Sequence, residues 1–231
     1  MAPTISVIIP AHNEEQYIRQ TLHALKLQTF QNFETIIVAN GCTDKTEEVI
    51  SQRVNEHLQL LKMSKASVSR ARNYGASKAN GRLLVFLDAD TLLEPESLQV
   101  INSQFKDEHA VATTKVKADC VEAKFRLLMA VKNLANQTSL YRGWISGVLI
   151  CRKKDFDAVN GYDHQREVRE QRNLILKLLK IGGYAHLDTY ATTSMRRFQR
   201  WGLARTAGFW LKQLAVDHFG DISSSKYEKV R

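Results

Sequence analysis

Two aspartates separated by a single residue have the type and spacing to bind a cation. Asp88 and Asp90 flank Ala89 and directly follow the apolar run Leu83–Leu87, which predicts a buried strand. Because neighbouring carboxylates at a strand end repel each other and resist desolvation, they need a compensating charge. A few hard oxygen ligands suit Mg²⁺ or Mn²⁺ bound together with substrate phosphates. The pair therefore predicts a divalent-metal site. The alternative is a turn in which Asp90 caps the next segment.

A second group able to bind phosphate is Arg72, which lies on a predicted helix just before the strand that ends at Asp88. The sequence contains neither a Walker A motif nor a G-x-G-x-x-G motif, so a phosphorylated ligand would be bound by metal and arginine rather than by a glycine cradle. Arg72 would then point to the same edge as the aspartates. The alternative is a solvated arginine on the helix surface.

Alternating strand and helix patterns in the first half of the chain position these side chains. Strands are predicted at Ile5–Pro10, Glu34–Ala39, His57–Met63 and Arg82–Leu87. Helices are predicted at Tyr17–Leu25, Ser67–Ala79 and Glu94–Phe105, and a further helix is expected to begin at a cap, either Thr43 or Asp44, and to continue to Val54. Asn13 is the expected cap of the first helix. This order predicts an α/β fold with a parallel sheet. Ligands bind outside the carboxyl ends of such strands, where Pro10–Glu14, Ala39–Asp44 and Asp88–Asp90 converge.

Composition and charge exclude several classes of protein. The 231 residues are 44% hydrophobic and 25% charged, which is ordinary for a globular chain. Three distant cysteines without C-x-x-C spacing argue against disulfides and zinc and favour a reducing cytoplasm. The start of the chain lacks the pattern of a signal peptide, and no apolar run approaches the length of a membrane span. We therefore expect a cytoplasmic protein, soluble or peripheral on the inner face of the membrane.

Positive charge is concentrated in the second half of the chain. The net charge is +9, with 13 basic and 14 acidic side chains in residues 1–120 and 20 basic and 10 acidic ones in residues 121–231. Such asymmetry indicates an anionic partner, such as nucleic acid, a membrane surface or a phosphorylated ligand. A nucleic-acid-binding module is one alternative function, but no helix-turn-helix, RNP or KH signature occurs, and no nucleic acid is expected.

Ordered motifs along roughly residues 4–200 resemble family 2 glycosyltransferases of the GT-A fold. They are Ser6–Glu15, Val38–Thr46, Ala71-Arg72-Asn73 with Gly75 and Ala79-Asn80-Gly81, Phe86–Asp90, and later Gly147-Val148-Leu149, Phe156 and Gly161-Tyr162-Asp163. The resemblance implies one Rossmann-like sandwich with a mostly parallel central sheet and a C-terminal helical extension. It divides the chain into a GT-A domain at 1–200, with a nucleotide- and metal-binding half at 1–120 and an acceptor half at 121–200, and a helix and tail at 201–231.

The same resemblance implies sugar transfer from a UDP- or GDP-sugar to a hydroxyl of a sugar, polysaccharide or lipid-linked acceptor, with inversion and with Mg²⁺ or Mn²⁺ as cofactor. It assigns base and ribose contacts to Pro10, Ala11, Asn13 and Glu14, and places Asn40 where the family has a base-reading acid. Arg72 would contact the diphosphate. Asp90 would bind the metal directly, and Asp88 would contact ribose and metal-bound water, with Ala89 between them.

The sequence departs from the family pattern at the general base. Matching Arg169–Leu174 onto the family's Glu-Asp segment places Gln171 in the Asp position, and an amide cannot accept a proton from the acceptor hydroxyl. Glu170 is the predicted base, with Asp163, Glu167 or another carboxylate as alternatives. The remaining interpretation is a catalytically weak or silent protein that binds a nucleotide-sugar.

The basic half carries the residues predicted for the acceptor and diphosphate side. Arg196 and Arg197 resemble a Thr-Ser-x-Arg-Arg-Phe segment of some family members, and their guanidinium groups suit diphosphate oxygens. The other residues assigned to this side are Trp144, Gly147, Asp163 and His186, with His186 a candidate third metal ligand. Apolar and basic positions from Leu203 to Phe219 predict an amphipathic helix that lies on an anionic membrane, packs on the sheet or forms a homodimer.

Overall fold

The computed structural model describes residues 2–137, 147–166, 168–206, 208–209 and 212–213. Strands are β1 (Ile5–Ala11), β2 (Phe33–Asn40), β3 (Leu58–Met63), β4 (Leu83–Leu87), β5 (Thr91–Leu93), β6 (His109–Ala118), β7 (Val148–Arg152) and β8 (Gly183–Thr193). Helices are α1 (Ile18–Lys26), α2 (Thr46–Ser51), α3 (Val68–Lys78), α4 (Ser97–Gln104), α5 (Ala123–Gln137), α6 (Lys153–Ala158), α7 (Glu170–Leu178) and α8 (Arg196–Trp201).

The strands form one sheet in the order β3-β2-β1-β4-β7-β6-β8-β5. The first four strands in this order are parallel, as the sequence predicts. Strand β7 runs antiparallel to both β4 and β6, and β5 runs antiparallel to β8. The remaining contact, between β6 and β8, is parallel. The α/β fold with a mostly parallel central sheet is confirmed.

Apolar side chains fill both faces of this sheet. Ile5, Val7 and Ile9 of β1 belong to one fully buried cluster, which includes side chains of α1 and α4. Ile8 points the other way and packs in a second cluster with side chains of α3, α6 and α7. Because successive side chains of a strand alternate between faces, a continuous apolar run is required where helices cover both sides. The strand ends are therefore the parts of the sheet left for ligands.

A smaller third cluster joins α5 and α8 to the far part of the sheet. Val116 of β6, Phe125 and Met129 of α5, and Met195 just before α8 are all nearly fully buried together. Phe198 of α8 lies with its ring centre 6.1 Å from that of Phe125. Two elements about 70 positions apart in the chain thus become neighbours.

The structure corrects two details of the predicted elements. Asn13 is not the cap of α1, which begins at Ile18; instead Asn13 has φ +55°, a region that asparagine tolerates better than most residues. The predicted helix from Glu94 to Phe105 is shorter, and β5 precedes it. A strand of three residues is too short to show an alternation of apolar and polar side chains. Its partner strand β8 lies about 100 positions later in the chain.

The predicted C-terminal helix falls largely outside the described residues. Residues 203–206 are helical, and Leu203 is 37% exposed. In the part of the chain that the structure describes, no helix is long and apolar enough to cross a membrane.

A buried polar network ties the start of β1 to the turn before β4. The Ser6 hydroxyl donates to Glu34 Oε1 at 2.6 Å and accepts from the Gly81 N–H at 2.8 Å. The Asn80 N–H donates to the same carboxylate oxygen at 2.7 Å. The turn is so close to β1 that a Cβ on Gly81 would lie 2.6 Å from Ser6 N and 2.7 Å from Ile5 C.

Gly81→Ala should lower the free energy of unfolding by about 1–3 kcal/mol, because backbone atoms would have to move to admit the methyl group. Urea denaturation followed by circular dichroism measures the change. Gly208→Ala is the matched control, since nothing lies within 4 Å of its added Cβ. Equal urea midpoints for Gly81→Ala and the unaltered protein would contradict the close approach.

Candidate active site

The carboxyl ends of β1 and β2 are held together by side-chain hydrogen bonds. Asn13 Nδ2 donates to Thr43 Oγ1 at 2.9 Å, and the Thr43 N–H donates back to Asn13 Oδ1 at 2.7 Å. The Glu14 N–H donates to Thr46 Oγ1 at 2.7 Å. Asp44, one residue before the N-cap Lys45 of α2, accepts from the Thr46 N–H at 3.0 Å. The first two predicted motifs therefore form one polar edge, beside Pro10 and Ala11 at the end of β1.

Asn40, at the end of β2, helps to position the helix that carries Arg72. It is 5% exposed, and its Oδ1 accepts from the Ser67 N–H at 2.7 Å. Ser67 is the N-cap of α3, with its hydroxyl accepting from the Arg70 N–H. An aspartate could accept the same bond, but only asparagine adds N–H donors at this position.

The backbone around the two aspartates is fixed on both sides. The Asp88 N–H donates to the Gly147 carbonyl at 2.8 Å, and the Ala89 carbonyl accepts from Thr21 Oγ1 at 2.7 Å. Gly147 has φ +78°, and a Cβ there would collide with the Thr91 side chain. Only glycine fits at position 147, where the backbone must lie close enough to Asp88 to accept its hydrogen bond.

Arg72 bridges two carboxylates from distant parts of the chain. Its Nη2 donates to Asp88 Oδ1 at 2.9 Å and its Nη1 to Glu170 Oε1 at 2.7 Å, while the side chain is 3% exposed. The guanidinium also lies 5.2 Å from the centre of the Tyr162 ring. Burial lowers the pKa of Arg72, but Tyr162, Asp88 and Glu170 together raise it above its ordinary value. Arg72 therefore stays charged in the interior.

Glu170 begins α7 and is buried, with 5% of its surface exposed. Its Oε1 accepts from Arg72, whereas its Oε2 is buried without a hydrogen-bond partner among the described residues. Burial raises the pKa of Glu170, and Arg72 lowers it by less. A carboxylate with one oxygen anchored, one unsatisfied and a raised pKa can accept a proton from a bound hydroxyl.

A second arginine binds the carboxylates on the other side of the aspartates. Arg196 Nη1 and Nη2 donate to the two oxygens of Glu14 at 2.8 and 2.6 Å, and Nη2 lies 3.0 Å from Asp90 Oδ2. The guanidinium stacks 4.5 Å from the ring centre of Tyr17. Burial raises the pKa of Asp90 to about 7, with Arg196 opposing the shift and Asp88 and Glu14 adding to it. A cation is thus already held where the sequence predicts a metal.

Lys132 is a site residue that the sequence reasoning missed. It lies on α5 with 6% of its surface exposed. Burial lowers its pKa to about 7, and the Asp88 carboxylate opposes this shift. A signal was present in the sequence, because Lys132 falls seven residues after Phe125 and three after Met129, on the buried face of an amphipathic helix.

The structure does not bring every predicted residue to the aspartates. His186 lies within β8, where it is opposite Thr113 of β6. It is five residues before Ala191, which is opposite Leu93 of β5. Its charged neighbours are Lys115 and Asp188. Among the described residues, no group of three or more His, Cys, Asp and Glu side chains is placed to hold a metal, and the role of His186 as a third ligand stays a prediction. The sequence predicts a strand end near His186, but β8 continues to Thr193.

The remaining predicted residues lie at the margin of the site or beyond the described chain. Asp163 is partly exposed, accepts from the Gln165 N–H at 3.0 Å and pairs with Arg166 at 3.6 Å. Arg197 lies over the Trp201 ring, 5.5 Å from its centre. Trp144 and Glu167 lie outside the described residues.

Similarity to known sequences covers most of the chain. The family model described as glycosyl transferase family 2 matches residues 6–199. Chondroitin synthase of Pasteurella multocida is 25% identical over 194 residues, which cover 80% of this chain and 20% of that protein. An uncharacterized glycosyltransferase of Haemophilus influenzae is 31% identical over 121 residues, covering 51% of this chain and 48% of that protein. The alignments thus span less than half of these relatives.

Solved structures share the fold at low sequence identity. TarS 1-349 of S. aureus, in complex with UDP-GlcNAc, has a TM-score of 0.66 at 20% identity, covering 97% of this chain and 62% of that one. The mannosyltransferase PcManGT of Pyrobaculum calidifontis, in complex with GDP-Man and Mn²⁺, has a TM-score of 0.72 at 15% identity, covering 96% and 66%. With a family model matching residues 6–199, the chain belongs to glycosyl transferase family 2 and has the GT-A fold.

Proposed function

We propose that the protein transfers a sugar from a UDP- or GDP-sugar to an acceptor hydroxyl, with inversion, using Mg²⁺ or Mn²⁺ and Glu170 as the general base. The observation that carries the proposal is the buried bridge from Asp88 through Arg72 to Glu170. This bridge links a carboxylate at the donor edge of the sheet to an unsatisfied carboxylate oxygen on the acceptor side. The nucleotide-sugars bound to TarS and PcManGT support the donor class.

The nucleoside is assigned to the polar edge formed by Pro10, Ala11, Asn13, Glu14 and Asn40. The side-chain oxygen of Asn40 is engaged by Ser67, so its amide N–H groups serve as donors for a carbonyl on the base. Uracil and guanine both present such a carbonyl, and both UDP- and GDP-sugars are therefore included in the proposal.

Asp88 and Asp90 are the residues assigned to the metal, together with Ala89 between them. Two carboxylates plus diphosphate oxygens match the preference of Mg²⁺ and Mn²⁺ for a few oxygen ligands and a bound phosphate. The guanidinium that lies between Glu14 and Asp90 supports this fit, since these carboxylates accept a cation. When bound, the metal would neutralise the negative charge that develops on the leaving diphosphate.

The chain's own residues supply the proton transfer and further positive charge. The acceptor oxygen attacks the anomeric carbon while the bond to the diphosphate oxygen breaks with its electron pair. The hydroxyl proton passes to Glu170 Oε2, and Arg72 holds Oε1 so that the carboxylate keeps its orientation. Arg196, once released from both Glu14 and Asp90, offers a bidentate fork to the diphosphate oxygens.

The acceptor is proposed to be a polysaccharide or a lipid-linked sugar. Relatives in which the chain matches one part are named chondroitin synthase, hyaluronan synthase and a putative teichuronic acid biosynthesis glycosyltransferase. Residues 121–200 are assigned to the acceptor half, with Gly147 and Asp163 at its border with the donor half of 1–120. Residues 201–231 are assigned to the C-terminal helix and tail.

A silent nucleotide-sugar-binding protein is the second candidate, because Gln171 replaces the family's base. A panel of UDP- and GDP-sugars with Mg²⁺ or Mn²⁺ and candidate acceptors separates the two, scored for release of nucleoside diphosphate. We expect turnover with one donor. Tight binding of a donor without turnover for any acceptor tested would favour the silent protein.

Glu170→Gln should lower kcat by about 100-fold or more and leave the donor Kd within about threefold, because the amide cannot accept the proton although its oxygen can still accept a hydrogen bond from Arg72. Gln171→Ala is the matched control: it alters the neighbouring side chain, keeps the Glu170–Arg72 pair, and should leave kcat nearly unchanged. Thermal melting of both variants checks that the fold is retained. Equal kcat values for Glu170→Gln and the unaltered protein would remove Glu170 as the base.

Asp90→Ala should abolish metal-dependent donor binding, measured by calorimetry with and without Mn²⁺, because a direct metal ligand is lost. Donor affinity that still responds to Mn²⁺ in this variant would contradict the metal assignment.

Arg196→Ala should tighten the binding of Mn²⁺ alone by about tenfold, because a charge-assisted contact no longer competes for Asp90. Calorimetry is done at a pH above 8, since Asp90 titrates at about 7. Arg197→Ala removes the same charge from the same helix and should leave Mn²⁺ affinity unchanged. Equal behaviour of the two variants would show that Arg196 and the metal do not compete.

A further inference from the structure

Exposed apolar side chains are concentrated on the outer face of α5. Among the described residues ten large apolar side chains are exposed, and four of them lie on α5 or directly before it: Val121 (89%), Leu127 (67%), Val131 (49%) and Leu134 (59%). Leu127, Val131 and Leu134 follow a spacing of four and three residues, so they share one helix face. The buried face of α5, with Phe125 and Met129, lies on the opposite side.

The exposed charged side chains on α5 itself are all cationic, and exposed Glu122 lies immediately before the helix. Exposed Lys124 and Arg126 flank the stripe at the start of α5. No Asp or Glu occurs between Glu122 and Asp155, so nothing on this helix offsets them. A solvated helix face would normally carry charges of both signs. An apolar stripe on a helix whose own exposed charges are cationic is the pattern of helices that lie at an anionic membrane interface.

Helix α8 adds further exposed cations beside α5. It is held against α5 by the contact of Phe198 with Phe125 and by the shared burial of Met195. No Asp or Glu occurs between Asp188 and Asp217, and exposed Arg200 and Arg205 lie in this region. The fold therefore places α5 and α8, neither of which carries an acidic residue, next to each other.

We propose that the outer face of α5, together with the cations of the adjoining α8 segment, docks the protein on the surface of an anionic lipid bilayer. Leu127, Val131 and Leu134 enter the boundary between headgroups and acyl chains, and Lys124 and Arg126 lie at the level of the lipid phosphates. A second copy of the chain fits this surface less well, because both copies would bring cations to the contact and α5 carries no acidic side chain to pair with them.

The proposal concerns binding rather than turnover, so its test is independent of the proposed sugar transfer. The unaltered protein should float with vesicles of phosphatidylcholine and phosphatidylglycerol but not with vesicles of phosphatidylcholine alone. The triple variant Leu127→Ser, Val131→Ser, Leu134→Ser should bind the anionic vesicles about tenfold or more weakly. Lys124→Gln and Arg126→Gln should each weaken binding about fivefold, and high salt should do the same for the unaltered protein.

Leu27→Ser with Val54→Ser is the matched control, because these side chains are 53% and 50% exposed on other parts of the surface. It should bind vesicles as the unaltered protein does, and circular dichroism should show the same fold for all variants. Flotation of the triple variant equal to that of the unaltered protein would overturn the proposal. So would a dimer that only the triple variant loses in sedimentation, since the stripe would then bind a second copy.

Discussion

The site depends on one buried cation. Arg72 is 3% exposed and lies between Glu170, whose side chain is 7% exposed, and Asp88, whose side chain is 38% exposed. Arg72 and Glu170 are therefore removed from water together, while Asp88 stays in contact with solvent. Loss of Arg72 would leave two neighbouring carboxylates without a compensating cation, and breaking such a buried ion pair costs about 3–5 kcal/mol. Because the three residues lie on α3, the end of β4 and the start of α7, this one interaction joins the carboxyl end of β4 to both helices.

The second arginine compensates charge in a different way. Arg196 binds Glu14 and Asp90, but it is 23% exposed, so water and ligands can reach the pair. An exposed ion pair is weakened by solvent and exchanges partners more readily than a buried one. We therefore interpret Arg72 as a permanent part of the framework and Arg196 as an exchangeable cation. Asp88 and Asp90 are each paired with an arginine in the absence of a ligand. The pairing of Asp90 is the exchangeable one.

Local patterns predicted the elements in the first part of the chain closely. Strands β1 to β4 and helix α3 lie within one or two residues of their predicted bounds, because long apolar runs and the Ser67 cap are strong local signals. The predictions that failed involve partners far along the chain. Strand β5 exists through pairing with β8, and His186 was placed near a strand end although β8 continues to Thr193. Lys132 was missed because a lysine is ordinarily assumed to be solvated.

The sequence by itself determined that strands alternate with helices, that Asp88 and Asp90 end a buried strand, and that the motifs are those of a glycosyltransferase. These properties depend on neighbouring residues, and their period and spacing can be read directly. Only the tertiary structure decided which charges pair, because Arg72 meets Glu170 across 98 positions and Arg196 meets Glu14 across 182. It also decided that Glu170 is buried rather than solvated, since burial is created by packing of segments that no local pattern relates.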